Sequence, residues 1–111
     1  MSSELEDKFT KALDEAGIKY ERQAKLIPGR RFRSDFFIPP DVVVEIEGGV
    51  FTRGRHTRPI GFVNDIEKYN LYTLLKYRLL RFAASHLNKT TLPNSIKLVK
   101  EVAGQKSKRK Y

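Results

Sequence analysis

The sequence predicts an α/β domain in which a mixed central β-sheet is flanked by helices, and three observations support this prediction. A helical pattern is followed by three segments of strand character, a second helical pattern and a fourth strand, an α-β-β-β-α-β order. Proline and glycine turns separate these segments. The segment 42–47 is β-branched almost throughout, as in a strand buried on both faces. We therefore expect helices on both sides of the sheet.

The first helix is predicted over residues 3–16, where Leu5, Phe9 and Leu13 recur at helical spacing. A serine at position 2 or 3 provides a cap, and Gly17 ends the helix. Residues 19–26 predict a short strand that runs into a Pro-Gly turn. Residues 33–38 predict a second strand, because the two prolines that follow cannot continue a hydrogen-bonded ladder.

The second half of the chain starts with the central strand at 42–47, which two glycines end. Residues 50–63 predict a long loop of functional character, and a helix is expected from Asn64, as its cap, to about Leu75. Residues 77–83 predict a half-buried strand, and residues 92–102 predict a last helix.

The length of 111 residues indicates a single domain, placed at 1–103, with a basic tail at 104–111 that we expect to be disordered. There is no cysteine, which excludes disulfides and thiolate metal sites. No apolar run reaches the roughly 18 residues of a membrane span, and the N-terminus lacks a secretory pattern. We therefore expect a soluble, cytoplasmic protein without a membrane partner.

The charge distribution indicates a polyanionic partner. The net charge is +9, and residues 22–111 contain nineteen Lys and Arg against seven Asp and Glu. Arginines are the side chains best suited to contact phosphates. The expected partner therefore carries phosphates, and the candidate phosphate-binding residues are Arg31, Arg33, Arg53, Arg55 and Arg58.

Three carboxylates form the most informative pattern for chemistry. Glu45 and Glu47 point to the same face of the central strand, and the Pro39-Pro40 turn can fold Asp35 beside them. Such a cluster requires a compensating cation, and carboxylate oxygens favour Mg²⁺, with Mn²⁺ as a substitute. The alternative is that the two glutamates face solvent or pair with Arg31 and Arg33.

Four further side chains are candidates for the same chemistry. His56 can accept a proton or bind metal, or it is only an exposed loop residue, and Asp65 can support it. Lys68 either stabilises negative charge on a phosphate or forms a surface ion pair with Asp65. Glu6 lies on or beside the core-facing side of the first helix, as a solvated rim residue or as a ligand that reaches the site.

These motifs together resemble the PD-(D/E)XK, restriction-endonuclease-like nuclease superfamily. The similarity covers roughly residues 4–83 and includes its branch similar to very-short-patch repair and EDxHD homing-type endonucleases. The motifs, in chain order, are Arg-Ser-Asp-Phe at 33–36, Val-Glu-Ile-Glu-Gly-Gly at 44–49, Gly-Arg-His at 54–56, Asp-x-x-Lys-Tyr-Asn at 65–70 and Leu-Arg-Phe at 80–82.

The resemblance implies a restriction-endonuclease-like core and a catalytic set. In the homing-type branch this set is a helix-1 Glu, a strand Asp, a loop His and a following Asp, which map onto Glu6, Asp35, His56 and Asp65. The chain departs from the superfamily at the third motif position, where Glu47 replaces the usual lysine. Either Lys68 or His56 takes over its role.

The expected function is that of a Mg²⁺-dependent endonuclease that nicks or cuts DNA. Asp35, Glu45 and Glu47 are the expected metal ligands, and Glu6, His56, Asp65 and Lys68 complete the catalytic set. The alternatives are a non-catalytic nucleic-acid-binding module, which includes a degenerate member of the superfamily, and a Holliday-junction-resolvase-like nuclease. The sequence does not decide between a monomer, a homodimer and a complex with a partner protein.

Overall fold

The computed structural model describes residues 4–47 and 59–106, with the backbone alone at positions 59 and 60. Within these ranges the chain forms a small α/β domain with three α-helices and one four-stranded sheet. In chain order the elements are α1 (Glu4–Glu15), β1 (Glu21–Ala24), β2 (Ser34–Ile38), β3 (Val42–Ile46), α2 (Pro59–Leu74), β4 (Arg78–Phe82), a 3₁₀ turn (Ala84–His86) and α3 (Leu92–Gly104). In this part of the chain, no helix combines the length and the apolar character needed to cross a membrane.

The sheet is mixed, as the sequence predicts. Its strands lie in the order β1-β2-β3-β4, with antiparallel pairing from β1 to β3 and parallel pairing between β3 and β4. A short turn joins β2 to β3, whereas the parallel pair requires the long connection that contains α2. The β-branched strand β3 is one of the two inner strands, and Val42, Val43 and Val44 are fully buried.

Helices cover both faces of the sheet. On one face, α1 and α3 bury Phe9, Leu13 and Val99 against Phe36 and Val44. On the other face, α2 contributes Tyr72, which packs with Ile27 and Val43. Side chains alternate along β3, so the residues at 43, 45 and 47 belong to the α2 face. This alternation places two acidic residues of the central strand beneath α2.

The second helix starts earlier than the sequence indicates. The prediction of a loop up to residue 63 and a cap at Asn64 is wrong, because α2 begins at Pro59. Proline fits the first turn of a helix, since its missing N–H has no intrahelical partner there. Gly61 lowers helix propensity without breaking the hydrogen-bond ladder. Proline and glycine, which favoured a loop, therefore mark the first turn of α2.

The other boundaries agree with the predictions to within a few residues. The strand expected at 19–26 is limited to Glu21–Ala24, and α3 continues to Gly104, two residues beyond its predicted end. Gly104 is therefore part of the domain and not of the basic tail. The expectation of disorder concerns residues that mostly lie outside the described ranges.

Candidate carboxylate site beneath helix α2

Asp35 and Glu45 lie opposite each other on neighbouring strands. The antiparallel register pairs Phe36 with Val44, so Asp35, just before Phe36, lies beside Glu45, just after Val44, on one face of the sheet. The parallel register then pairs Glu45 with Arg81 of β4. A polar row thus crosses the sheet on the side that α2 covers. The predicted juxtaposition of Asp35 and Glu45 is present.

Glu45 is the buried member of this row, with 4% of its surface exposed. Its two oxygens contact two different residues of α2: Lys68 Nζ lies 3.0 Å from Oε1, and the Tyr72 hydroxyl donates to Oε2 at 3.2 Å. Burial raises the pKa of Glu45 to about 7, although the positive charge of Lys68 opposes this. Glu45 therefore changes its charge near neutral pH.

Asp35 is half-buried and is oriented by the backbone of the neighbouring strand. Its Oδ2 accepts a hydrogen bond of 2.7 Å from the N–H of Ile46, and the amide of Gln23 lies 3.5 Å from Oδ1. Burial raises the pKa of Asp35, the Ile46 N–H lowers it, and the negative charge of Glu6 raises it further. The carboxylate is thus held at the edge of β3 with one oxygen directed to Gln23.

Glu47 follows β3 and contacts a third residue of α2. The hydroxyl of Tyr69 donates to its Oε2, and Arg81 Nε lies 3.2 Å from the same oxygen. The Arg81 guanidinium also stacks on the Tyr69 ring, 4.5 Å from its centroid. The alternative in which Glu45 and Glu47 pair with Arg31 and Arg33 is wrong, because other cations occupy these positions. The cations beside Glu45 and Glu47 are Lys68 and Arg81.

Asp65 and Lys68 complete the α2 side of the site. The alternative in which Lys68 forms a surface ion pair with Asp65 does not hold, because the ammonium group contacts Glu45. Asp65 lies on the exposed rim, where partial burial raises the pKa of its carboxyl. The charge of Lys68 opposes that rise, and Glu47 reinforces it. Both predicted residues therefore belong to the electrostatic environment of the β3 carboxylates.

Glu6 reaches the site from α1. Its Oε1 accepts from Gln23 Nε2 at 3.3 Å and from Arg22 Nη2 at 3.2 Å, and its charge acts on Asp35. The reading of Glu6 as a solvated rim residue does not hold, since only 15% of its side chain is exposed.

The described part of the site carries an excess of negative charge. Five acids face three cations; the acids are Glu6, Asp35, Glu45, Glu47 and Asp65, and the cations are Arg22, Lys68 and Arg81. Burial raises the pKa values of three of these acids, as expected where too few positive charges are available.

No three carboxylate or imidazole groups of the described residues are gathered as the ligands of one metal ion. Asp35, Glu45 and Glu47 share one face of the sheet, but each is held by different donors. The donor chemistry still suits a hard cation, because all these groups are carboxylates. The Lys68 ammonium contacts one of these predicted metal ligands.

Several predicted residues lie outside the described ranges, namely Arg53, Arg55, His56 and Arg58. Arg31 and Arg33 are exposed in the segment that joins β1 to β2. Arg33 donates through Nη1 to the backbone carbonyl of Gln23 at 3.2 Å. Both described arginines of the predicted phosphate-binding set are therefore at the surface, and Arg33 contacts Gln23.

Five residues of the site were not predicted from sequence, namely Arg22, Gln23, Tyr69, Tyr72 and Arg81. The two tyrosines matched the apolar face of α2, and their rings do belong to its core. Their spacing was a usable signal, because buried tyrosine hydroxyls need polar partners and residues three apart share a helix face. No sequence signal identifies Gln23.

Comparison with family models, characterised proteins and solved structures finds no match to this chain. The fold and the site geometry are therefore the basis for a functional assignment.

Proposed function

We propose that this protein is a metal-dependent DNA endonuclease built on a restriction-endonuclease-like core. The observation that carries the proposal is the pair Asp35 and Glu45, on adjacent strands beneath a helix that carries Lys68. The element order of α1 through β4 is the α-β-β-β-α-β order predicted from the sequence pattern, and it is compatible with such a core. The surplus of negative charge gives a reason for a divalent cation in a protein whose net charge is +9.

The carboxylates are suited to hold Mg²⁺ or Mn²⁺, with Asp35 and Glu45 as principal ligands and Glu47 as a further ligand or a water-orienting group. When bound, the ion supplies Lewis-acid polarisation of a phosphate and activation of water. The Ile46 N–H and the Tyr72 hydroxyl orient the two principal carboxylates. Because these donors come from the sheet and from α2, substrate does not need to order them.

Lys68 is the cation suited to act on the reacting phosphate. Glu47 occupies the motif position at which the superfamily usually has a lysine. Lys68, on α2, contacts Glu45 and provides a positive charge from a different element. A buried ammonium beside the metal ligands can stabilise the additional negative charge of a pentavalent transition state. His56, supported by Asp65, is the proposed general base or an additional ligand. The exposed Arg31 and Arg33 would contact the DNA backbone.

The experiment is a nicking assay on supercoiled plasmid DNA with Mg²⁺, with Mn²⁺ and with EDTA. We expect nicking with either metal and none with EDTA. Asp35→Asn retains an oxygen for the Ile46 N–H but removes the charge, and should reduce nicking on the order of 100-fold or more. Glu101→Gln, on the opposite helical layer, is the matched control and should retain wild-type activity. DNA binding without cleavage under every condition would refute the nuclease assignment.

The second candidate is a non-catalytic nucleic-acid-binding module, and one observation favours it. Lys68 and Arg81 already pair with Glu45 and Glu47, so part of the acidic site is neutralised by the protein itself. In such a module, Asp35→Asn would leave DNA affinity unchanged. Addition of Mg²⁺ would then have no effect beyond that of its ionic strength.

A further inference from the structure

Gln23 has a backbone conformation that is unusual for its residue type. It lies in β1 with φ of +52°, in the left-handed region that side chains other than glycine and asparagine rarely adopt. Its neighbours pair normally, Arg22 with Phe36 and Ala24 with Ser34, so the deviation is confined to one residue of the strand. By the same register, Gln23 lies opposite Asp35. Local strain of this kind persists where surrounding contacts hold it in place.

The contacts that hold Gln23 involve both its backbone and its side chain. Arg33 Nη1 donates to its carbonyl oxygen at 3.2 Å. Its side-chain Nε2 lies 3.3 Å from Glu6 Oε1 and 3.5 Å from Asp35 Oδ1. The side-chain NH₂ of Gln23 has two hydrogens to donate. Both of its neighbours are carboxylates, which, when ionised, act as hydrogen-bond acceptors and never as donors. One amide group therefore connects an acid of α1 to an acid of β2.

We propose that Gln23 is a positioning residue, whose left-handed backbone directs its amide between Glu6 and Asp35 and so brings the α1 carboxylate into the site. This role rests on the proposed nuclease function for its catalytic consequence, but the juxtaposition itself does not require catalysis. An ordinary strand conformation at this position would redirect the side chain. Glu6 and Asp35 would then face each other without a shared donor.

Lys76 provides a matched control, because it is the other described non-glycine residue with a positive φ, at +67°. It follows α2, and its N–H donates to the carbonyl of Thr73 at 3.0 Å, as in a helix C-terminal turn. Glycine adopts this conformation without a steric penalty. Lys76→Gly should therefore raise the thermal unfolding midpoint by a few degrees and leave nicking unchanged.

Gln23→Gly likewise removes the steric penalty of the positive φ, but it also removes the side-chain amide. We expect its unfolding midpoint to stay within a few degrees of the wild-type value, because the relief offsets the lost hydrogen bonds. Metal-dependent nicking should fall at least ten-fold, in kcat and not in KM for DNA. If Gln23→Gly behaves like Lys76→Gly in both assays, the unusual backbone has no role in positioning and the proposal is wrong.

A second measurement tests the juxtaposition without catalysis. Gln23→Glu keeps the shape of the side chain but places an acceptor beside two carboxylates. At pH 8 it should lower the urea midpoint of unfolding, and the additional substitution Glu6→Gln should restore most of that loss. Independent effects of the two substitutions would overturn the proposed contact. If the wild-type protein does not nick DNA but this coupling is found, the nuclease assignment fails and the Gln23 contact stands.

Discussion

At the scale of single residues, Glu45 shows how the sheet and α2 together determine an ionisation state. Burial removes water from the carboxylate, while Lys68 and Tyr72 donate to its two oxygens. The donors do not fully offset the loss of hydration, since the pKa is raised to about 7. The native state therefore binds a proton at Glu45 that the unfolded chain has released above about pH 4.5.

This difference predicts a pH dependence of stability. Between about pH 4.5 and 7 the folded protein holds one more proton at this group than the unfolded chain, so raising the pH favours unfolding. Relative to Glu45→Gln, the free energy of unfolding of the wild-type protein should fall by about 3 kcal/mol across this window and then level off. Urea titrations of both proteins from pH 4 to 8.5 measure the difference. Parallel curves would show that Glu45 titrates normally.

The residue scale also shows which parts of the site a sequence can predict. The facing of Asp35 and Glu45 follows from strand alternation and from the short turn at Pro39-Pro40, which are local properties. The cation beside Glu45 could not be predicted, because Lys68 reaches it only after α2 docks on the sheet. The left-handed backbone of Gln23 has no sequence signal, since glutamine does not favour it.

At the scale of elements, a buried ion pair ties α3 to the parallel strand pair. Arg78 at the start of β4 donates from Nη2 to Asp41 at 2.6 Å, and from Nη1 to the carbonyl of Val102 at 2.9 Å. Asp41 has 1% of its surface exposed. The guanidinium thus binds a carboxylate beside β3 and a terminal carbonyl of α3. This contact fixes the C-terminal end of α3 against the sheet.

Arg78→Met should therefore destabilise the protein by about 3–5 kcal/mol, because it leaves a buried carboxylate without its cation. The double variant Arg78→Met with Asp41→Asn should recover part of the loss, since the buried negative charge is then absent. Lys100→Met, exposed on α3, serves as the control and should stay within about 0.5 kcal/mol of wild type. A loss below about 1 kcal/mol in urea unfolding of Arg78→Met would show that the pair is not structural.

Element boundaries show a second limit of sequence patterns. The start of α2 was placed at Asn64, a good cap residue, but the helix begins at Pro59. Phe62 and Val63, in the added turn, are 68% and 57% exposed, so burial on the sheet does not explain why this turn forms. By contrast, β3 was predicted closely, because its β-branched run reflects burial on both faces.

At the scale of the whole molecule, the two faces of the sheet have different roles. The face under α1 and α3 is apolar, whereas the face under α2 carries the carboxylates at one end of an apolar cluster. In the proposed function, the positive charges of Arg22, Lys68 and Arg81 beside this acidic site reduce its repulsion of DNA. Arg31 belongs to the segment that joins β1 to β2, and Lys100 belongs to α3 on the other face of the sheet.

DNA binding should therefore depend on salt in a position-specific way. Each lost phosphate contact reduces the slope of log affinity against log salt concentration by about one. Arg31→Ala should reduce the slope by that amount, whereas Lys100→Ala should leave it unchanged. Fluorescence anisotropy with a labelled duplex between about 50 and 200 mM salt measures both slopes. Equal effects of the two substitutions on the slope would mean that the segment between β1 and β2 does not contact the phosphates of the DNA.

The proposed function requires the carboxylates beneath α2 to be ligands of a divalent cation, and anomalous scattering from crystals grown with Mn²⁺ tests this directly. We expect an anomalous peak for a Mn²⁺ ion bound by oxygens of Asp35 and Glu45. The peak should be absent from crystals of Asp35→Asn. If the protein binds DNA in solution, but crystals grown in excess Mn²⁺ show no peak at these oxygens and Lys68 remains in contact with Glu45, the proposed metal site is contradicted.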